Sequence, residues 1–348
     1  MKKFALFIGC NIPAKVQQYE TSARAVLKKL DIATADIKEF NCCGYPMKNT
    51  DQNAWLLSAA RNIALAEKKG LDILTLCQCC FGSLKKANSI LKEDNEITPK
   101  INGILTKEGL EYKGTSSVSN YLSVLHNEIT IDQLNKKTID HYKDLKIATH
   151  YGCHALRPSE IMEFDDPVSP SIFDNLVNVT GAESIEWESK LDCCGAPVLG
   201  INDNLSYDLT EKKLANAQKA GADFICVACP WCHTQFDKIQ DLMVSKRDKE
   251  FMLPSILYPQ LLGLRLGIEE KKLGITRPDN QSSDNQSIEN KGPDNQKNKI
   301  LNQAFSKLFE TQDKTEKKAK KKKPAKKTPT KKKSAEKKPA KKESQTIE

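Results

Sequence analysis

Leu71-Asp72-Ile73-Leu74-Thr75-Leu76-Cys77-Gln78-Cys79-Cys80-Phe81 decides how this chain is read, because an apolar run of strand length ends directly on cysteines. The run is too short for a core helix and suits a buried strand. A helix is expected to follow from about Phe81 to Leu91. Working back toward the start, Phe4 to Ile8 is a second run of the same kind, and Ile37 to Phe40 is a third. Helical spacing of apolar residues separates them, at Val16, Tyr19, Ala23, Val26, Leu27 and Leu30, then at Trp55, Leu56, Ala59, Ala60, Ile63 and Ala64. Strands alternating with helices imply a parallel sheet covered by helices on both faces.

Downstream, the same plan recurs. Strands are expected at Lys146 to Thr149, Ser184 to Trp187 and Phe224 to Val227, with helices near Ile172 to Val177 and at Leu205 to Ala220. Three cysteine anchors recur in the same order. Cys10-Asn11 matches Cys153-His154, Cys42-Cys43-Gly44 matches Cys193-Cys194-Gly195, and Cys77 to Cys80 matches Cys229 to Cys232. Three ordered matches argue for two copies of one domain. The expected fold is α/β, two similar domains with helix-flanked parallel sheets. Each cysteine group sits just after a strand, so the sulfur collects at the carboxyl ends of the strands, where such sheets bind ligands.

The boundaries expected from composition are a first domain at 1–97, a connecting segment at 98–138 with helix near Tyr121 to Glu128, and a second domain at 139–274. A polar linker follows at 275–299, where Asp279-Asn280-Gln281 recurs twice. A short amphipathic helix at 300–310 precedes a Lys-rich tail at 311–348, which is too charged and Pro-broken to fold alone. The formal charge is +9, yet Lys314 to Glu348 alone carries 16 Lys against 4 acidic residues, leaving −3 for the rest. Only the tail is therefore suited to nucleic acid or an anionic surface, and such binding is non-specific and salt-sensitive. The plainer expectation is a solvated, disordered segment.

All 12 cysteines lie between Cys10 and Cys232. The apolar run after Lys2 and Lys3 is five residues, against the roughly 7–15 of an export signal. No stretch approaches the ~20 apolar residues of a membrane span. These features suggest a cytoplasmic chain with reduced thiols, in which so many cysteines serve metal rather than disulfides.

Thiolates are soft ligands for zinc or iron–sulfur clusters. A Cys-x-x-Cys at a helix start points both sulfurs at one centre, where the helix N-terminus favours negative charge. Adjacent cysteines diverge in extended chain, but a tight turn lets both face a larger cluster. Gly44 and Gly195 permit that turn, and Pro46 and Pro197 stiffen its exit. Five matched thiols per copy exceed the four that a structural zinc takes.

This tandem pattern resembles the B subunit of heterodisulfide reductase, over roughly residues 3 to 274. The resemblance extends to Gly152-Cys153-His154-Ala155-Leu156-Arg157-Pro158 and to Leu257-Tyr258-Pro259-Gln260-Leu261-Leu262-Gly263-Leu264. It implies two noncubane [4Fe-4S] clusters. One is held by Cys10, Cys42, Cys43, Cys77 and Cys80, the other by Cys153, Cys193, Cys194, Cys229 and Cys232. It also implies reductive cleavage of a disulfide to two thiols, or the reverse, with a small disulfide or thiol as substrate. The partners implied are a ferredoxin-like C subunit that delivers electrons and a flavin-containing A subunit. The same domain resembles parts of succinate, fumarate and glycolate oxidoreductases, where clusters relay electrons without cutting a disulfide. A third reading is a metal-stabilised scaffold whose tail binds nucleic acid. No GxGxxG fingerprint is present, so nucleotide or flavin chemistry is assigned elsewhere.

Several residues carry a plain and a sharp reading. His154, directly after Cys153, suits protonation of a departing thiolate, or else hydrogen-bonds the cysteine loop. His233 after Cys232 is the weaker candidate, because Phe81 stands there in the first copy. Arg157 pairs either with an anionic substrate or within the fold, and Trp231 is read as shielding. Cys79 and Cys226 match nothing in the other copy and are read as small buried apolar groups. The short helix at Ile300 to Phe309 is read as a docking peptide.

Overall fold

The computed structural model describes residues 2–276 and 293–312. β1 (Lys3–Phe7), β2 (Ala33–Ala35), β3 (Asp72–Thr75) and β4 (Val118–Asn120) form one sheet in the order β2-β1-β3-β4, every pair parallel. After β5 (His141–Tyr142), the strands β6 (Lys146–His150), β7 (Glu183–Ser184), β8 (Phe224–Val227) and β9 (Ser255–Leu257) form a second parallel sheet, ordered β7-β6-β8-β9. The two sheets thus repeat one topology. Phe4, Ala5, Leu6 and Phe7 are all buried, and so is all of β8. That burial on both faces is what helix-covered parallel strands require.

The helices follow the expected spacing. Gln52–Lys68 starts on Asp51, whose carboxylate accepts from Ala54 N at 2.9 Å, and Asp203–Lys219 starts on Asn202, which accepts from Leu205 N at 3.0 Å. Such side-chain oxygens satisfy amide donors that the helix leaves free. Each capped helix is the next α-helix after a Cys-Cys-Gly turn, with one 3₁₀ turn between them.

The second strand of each copy lies earlier than its apolar run suggests. Ile37 to Phe40 is not a strand: β2 ends at Ala35, and Phe40 turns back so that its ring lies 5.0 Å from that of Phe7. Likewise β7 stops at Ser184, and Trp187 is buried in the loop beyond it. Both runs are apolar because they line the core while leaving the sheet for the cysteines. β4 and β9, three residues each, carry too little pattern to read from the sequence.

The copies are fused through one continuous core. Helix Tyr258–Arg265 of the second packs on helix Gln17–Lys29 of the first, and helix Gln78–Glu93 packs on the turn Cys153–Leu156. The helix Pro293–Phe309 lies on the second copy, with Ala304 and Leu308 buried and the Phe305 ring 5.6 Å from that of Phe224. Lys307 pairs with Asp223 at 2.7 Å, and β10 (Thr311–Gln312) adds antiparallel to β5. Its apolar face is used by the chain itself, which removes the docking-peptide reading. Most of the linker, from 277 to 292, and the Lys-rich segment from 313 onward lie outside the described residues.

Candidate metal centre

Four strand ends deliver the sulfur. β1 runs through Gly9 to Cys10, and β3 through Leu76 to Cys77, which stands just before helix Gln78–Glu93 and leaves Cys80 in its first turn. In the second copy β6 runs through Gly152 to Cys153, and β8 leads to Cys229 at the start of helix Pro230–Thr234, which carries Cys232. The approach is close. A Cβ on Gly9 would lie 2.9 Å from Cys80 Sγ, and Gly9 holds φ +67°.

The adjacent pairs sit on tight turns. Gly44 (φ +79°) and Gly195 (φ +91°) take the left-handed conformation, and a 3₁₀ turn containing the proline follows each. The backbone of the pairs is tied to the helices packed around it. Ser58 Oγ and Asn62 Nδ2 donate to Cys42 O at 2.7 and 3.0 Å, and Ser83 Oγ donates to Cys43 O at 2.9 Å. In the second copy Thr210 Oγ1 donates to Cys194 O at 3.0 Å and Ser206 Oγ to Gly195 O at 3.0 Å. Gln235, which opens a π turn at Gln235–Ile239, donates to both hydroxyls. Such turns interrupt helices most often where function demands a particular side-chain direction.

Thiol contacts run unbroken through all ten matched cysteines. From Cys10 they pass through Cys42, Cys43, Cys80 and Cys77 to Cys229, then through Cys232, Cys194 and Cys193 to Cys153. The two groups meet at Cys77 and Cys229, whose sulfurs lie within 4.8 Å of each other. Protonation follows one pattern in both copies. Cys42 is held down to about 2 because the Cys10 and Cys43 thiols donate to it, and Cys193 to about 2 because Cys153 and Cys194 do. Donation to Cys42 pushes Cys43 up to about 12, and donation to Cys193 pushes Cys194 up to about 12. The thiols are too crowded to ionise together without cations among them.

Cys79 departs from expectation. Its sulfur lies within 4.8 Å of both Cys77 and Cys229 and 3.7 Å from His154 Nδ1, so it stands at the junction rather than in an apolar core. Cys226 is a core residue as expected: it lies inside β8, fully buried, and burial pushes its thiol up. His154 Nδ1 is 3.5 Å from Cys153 Sγ, and its ring meets Tyr45 edge-on at 5.0 Å. Burial lowers its pKa, and the Cys229 thiolate works against that. His233 faces away from the sulfur, with Nδ1 3.0 Å from Ser255 Oγ and Nε2 3.3 Å from Gln18 Nε2. Arg157 is exposed and Trp231 half-buried.

Two residues near the sulfur escaped the sequence reading. His150, the last residue of β6, has Nε2 3.2 Å from Cys232 Sγ, and it forms a compact buried group with Cys194 and Cys232. Lys213 is buried on helix Asp203–Lys219 and donates to carbonyls of the loop before Cys193. The only sequence signal was comparison with the first copy, where Phe7 and Asn62 stand in their places.

The residues fit an iron–sulfur group. Asn11, beside Cys10, has both side-chain polar atoms buried with no partner, although a buried amide ordinarily finds one. Sulfide and thiolate sulfur are acceptors for such a donor, and ten thiols in two contacting fives are a donor set for iron.

Comparison with known proteins agrees. The family model described as a cysteine-rich domain matches twice, at residues 4–85 and 147–237. The B subunit of a ferredoxin/F420H2-dependent CoB–CoM heterodisulfide reductase from Methanosarcina acetivorans is 40% identical over 79% of this chain and 93% of that protein. The chain belongs to the family of heterodisulfide reductase B subunits. Another relative of this heterodisulfide reductase family member, 33% identical over 79% of this chain and 95% of that protein, is the 8-methylmenaquinol:fumarate reductase membrane anchor subunit of Wolinella succinogenes. A hypothetical protein from Helicobacter pylori shares the fold, with TM-score 0.61 at 19% identity over 78% of this chain; the match spans 51% of that protein. The two matched cysteine-rich segments each carry one of the two sulfur groups, on the chain of a heterodisulfide reductase relative. No helix among its described residues is long and apolar enough to cross a membrane.

Proposed function

We propose that this chain is the disulfide-cleaving member of a heterodisulfide-reductase-like complex, reducing one disulfide to two thiols with two electrons and two protons, or running in reverse. Each copy holds one noncubane [4Fe-4S] cluster, on Cys10, Cys42, Cys43, Cys77 and Cys80 in the first and on Cys153, Cys193, Cys194, Cys229 and Cys232 in the second. When bound, the clusters supply electrons singly and iron able to take a thiolate. Electrons come from a ferredoxin-like C subunit, and a flavin-containing A subunit completes the assembly. Its cytoplasmic location rests on the reduced state that twelve free cysteines require.

The single observation that carries this reading is the meeting of the two sulfur groups at Cys77 and Cys229. Two centres in contact suit a substrate with two adjacent sulfurs, because each departing thiolate then has its own acceptor. The chain's own residues do the remaining work. Gly44 and Gly195 set the turns that carry the paired cysteines, and the neighbouring hydroxyls and amides fix their carbonyls. His154 Nδ1, within 3.7 Å of sulfurs from both copies, holds a proton for one departing thiolate.

The Wolinella relative favours a second reading, an electron relay without disulfide chemistry. Iron and acid-labile sulfide are measured per chain after anaerobic purification, with paramagnetic spectra before and after adding small thiols. About eight irons, as two four-iron clusters require, and a new signal on thiol addition are expected. Eight irons with no thiol response favour the relay, and zinc without sulfide rules out both.

A further inference from the structure

The two sulfur sites are built on one plan, so differences between matched positions are informative. Three such positions surround each site. The residue ending the first strand is Phe7 in one copy and His150 in the other. The residue after the first cysteine is Asn11 or His154. The residue twenty positions after the first cysteine of the pair, on the following helix, is Asn62 or Lys213. At the first and third of these positions the second copy has a ring nitrogen or a cation where the first has a phenyl ring or a neutral amide.

Lys213 is the sharpest of these. The residue is 1% exposed, and its ammonium hydrogen-bonds only backbone carbonyls, of Ser189, Asp192 at 2.9 Å and Lys190 at 3.5 Å. It also lies 4.7 Å from the centre of the Trp187 ring. Among the described residues no carboxylate bonds it. The Asp192 carboxylate is half-exposed and pairs with Lys212 at 3.7 Å. Nearby Lys190 is itself paired, to Asp174 at 2.7 Å. Burying an unpaired ammonium is costly unless anionic charge lies close. Burial draws it down to about 8, opposed by the neighbouring Cys194, Asp192, Cys232 and Cys193, of which Cys193 is the one held as a thiolate. Asn62 does the same loop-tying job without charge, its amide bonding Asn41, the Cys42 carbonyl and Ser58 O between 2.9 and 3.0 Å.

His150 adds to this. It brings Nε2 to 3.2 Å from Cys232 Sγ, fully buried, a contact that becomes a hydrogen bond to sulfur when Cys232 is a thiolate and Nε2 carries the ring proton, where Phe7 offers the first copy none. Net charge and hydrogen bonds to sulfur are what set the potential of an iron–sulfur centre, and both stabilise its reduced, more negative state. The first copy has its own cation near the sulfur, Lys48, but it is not among the groups acting on the first five cysteines and acts instead on Cys79 and His154 at the junction.

We propose that the two iron–sulfur sites are electronically unequal, the second copy's being held at the higher reduction potential by Lys213 and His150. This rests on the clusters proposed above. The second site then takes the first electron to arrive and holds it, and the first site is the stronger reductant of the pair. A disulfide spanning both meets two unlike centres, which gives its two sulfurs distinct roles.

The test is a potentiometric titration of the full chain, purified anaerobically with its clusters, followed by paramagnetic resonance, with iron and sulfide counted in every variant. Wild type is expected to titrate at two separated midpoints. Lys213→Asn, which installs the first copy's residue, should lower the higher midpoint and leave the lower one unmoved. His150→Phe should act in the same direction, and Asn62→Lys should raise only the lower midpoint. Lys213→Arg, which keeps the charge, should restore the wild-type separation even where Lys213→Asn loads poorly. Coincident midpoints in wild type, or Lys213→Asn and Asn62→Lys that both load iron and move neither midpoint, overturn the proposal. Absence of iron and sulfide in wild type defeats the cluster reading itself, and unequal midpoints with no thiol response defeat only the disulfide chemistry.

Discussion

At the scale of single residues, Cys79 and Cys80 are neighbours with different expected consequences. Cys80 contacts both Cys43 and Cys77 inside the first five, whereas Cys79 lies between Cys77 of the first copy and Cys229 of the second, beside His154. Replacing Cys80 with Ser should remove about half the iron, since one of two clusters loses a thiolate. Replacing Cys79 with Ser should leave iron content unchanged, because the ten matched thiols remain. Metal analysis of the two variants side by side decides it, and equal iron loss would make Cys79 a ligand. His154 is separable in the same way. His154→Gln keeps the volume and a hydrogen-bonding group but holds no mobile proton, so disulfide cleavage should fall by about a hundredfold or more, as loss of a general acid does. Iron content and cluster spectra should stay as in wild type. Unchanged turnover would reduce His154 to a structural neighbour of Cys153.

At the scale of elements, the turn carrying each cysteine pair is where geometry is most tightly bound to chemistry. A Cβ on Gly44 would lie 2.9 Å from Trp55 O and 2.8 Å from its Cδ1, at a φ of +79° that side-chain-bearing residues avoid. Gly44→Ala should therefore lower stability by roughly 1–3 kcal/mol from backbone strain, read as a lower Tm of the metal-free chain, and should also reduce iron in the first site. A Tm equal to wild type would contradict the close packing of that turn against Trp55. This turn was legible from Cys-Cys-Gly-Tyr-Pro alone, because glycine and proline state the backbone conformation they need. The alternation of strands and helices was legible for the same local reason. The strands β4 and β9 were not, since three-residue strands at a sheet edge are defined by their partner rather than by any period of their own. Nor was β2, whose neighbouring run Ile37 to Phe40 is apolar for core contact and not for pairing. Cys79, His150 and Lys213 were beyond local reading for a third reason: their significance depends on how separate elements dock, which no spacing along one chain expresses.

At the scale of the whole molecule, charge divides the chain more sharply than fold does. Residues 1–313 carry −3 and Lys314 to Glu348 carry +12, so the basic character of this protein belongs entirely to its last tenth. The helix Pro293–Phe309 and β10 lead up to that segment. Lys307 pairs with Asp223, just before β8, and β10 pairs with β5, just before β6. The cysteines lie at the opposite, carboxyl ends of the same strands. The last described strand, β10, thus lies at the end of the fold away from the sulfur, and polyanion binding by the lysine-rich segment, proposed from its charge, is expected to be separable from the iron–sulfur chemistry. Truncation after Asp313 should abolish retention on heparin at low salt, while iron, sulfide and the thiol-induced signal persist. In the full chain, retention should weaken steeply and log-linearly with salt, because each neutralised charge on the polyanion releases a counterion. A truncated chain that binds heparin as the full chain does would move the anion-binding surface onto the body. Its net charge of −3 makes that outcome the harder one to build.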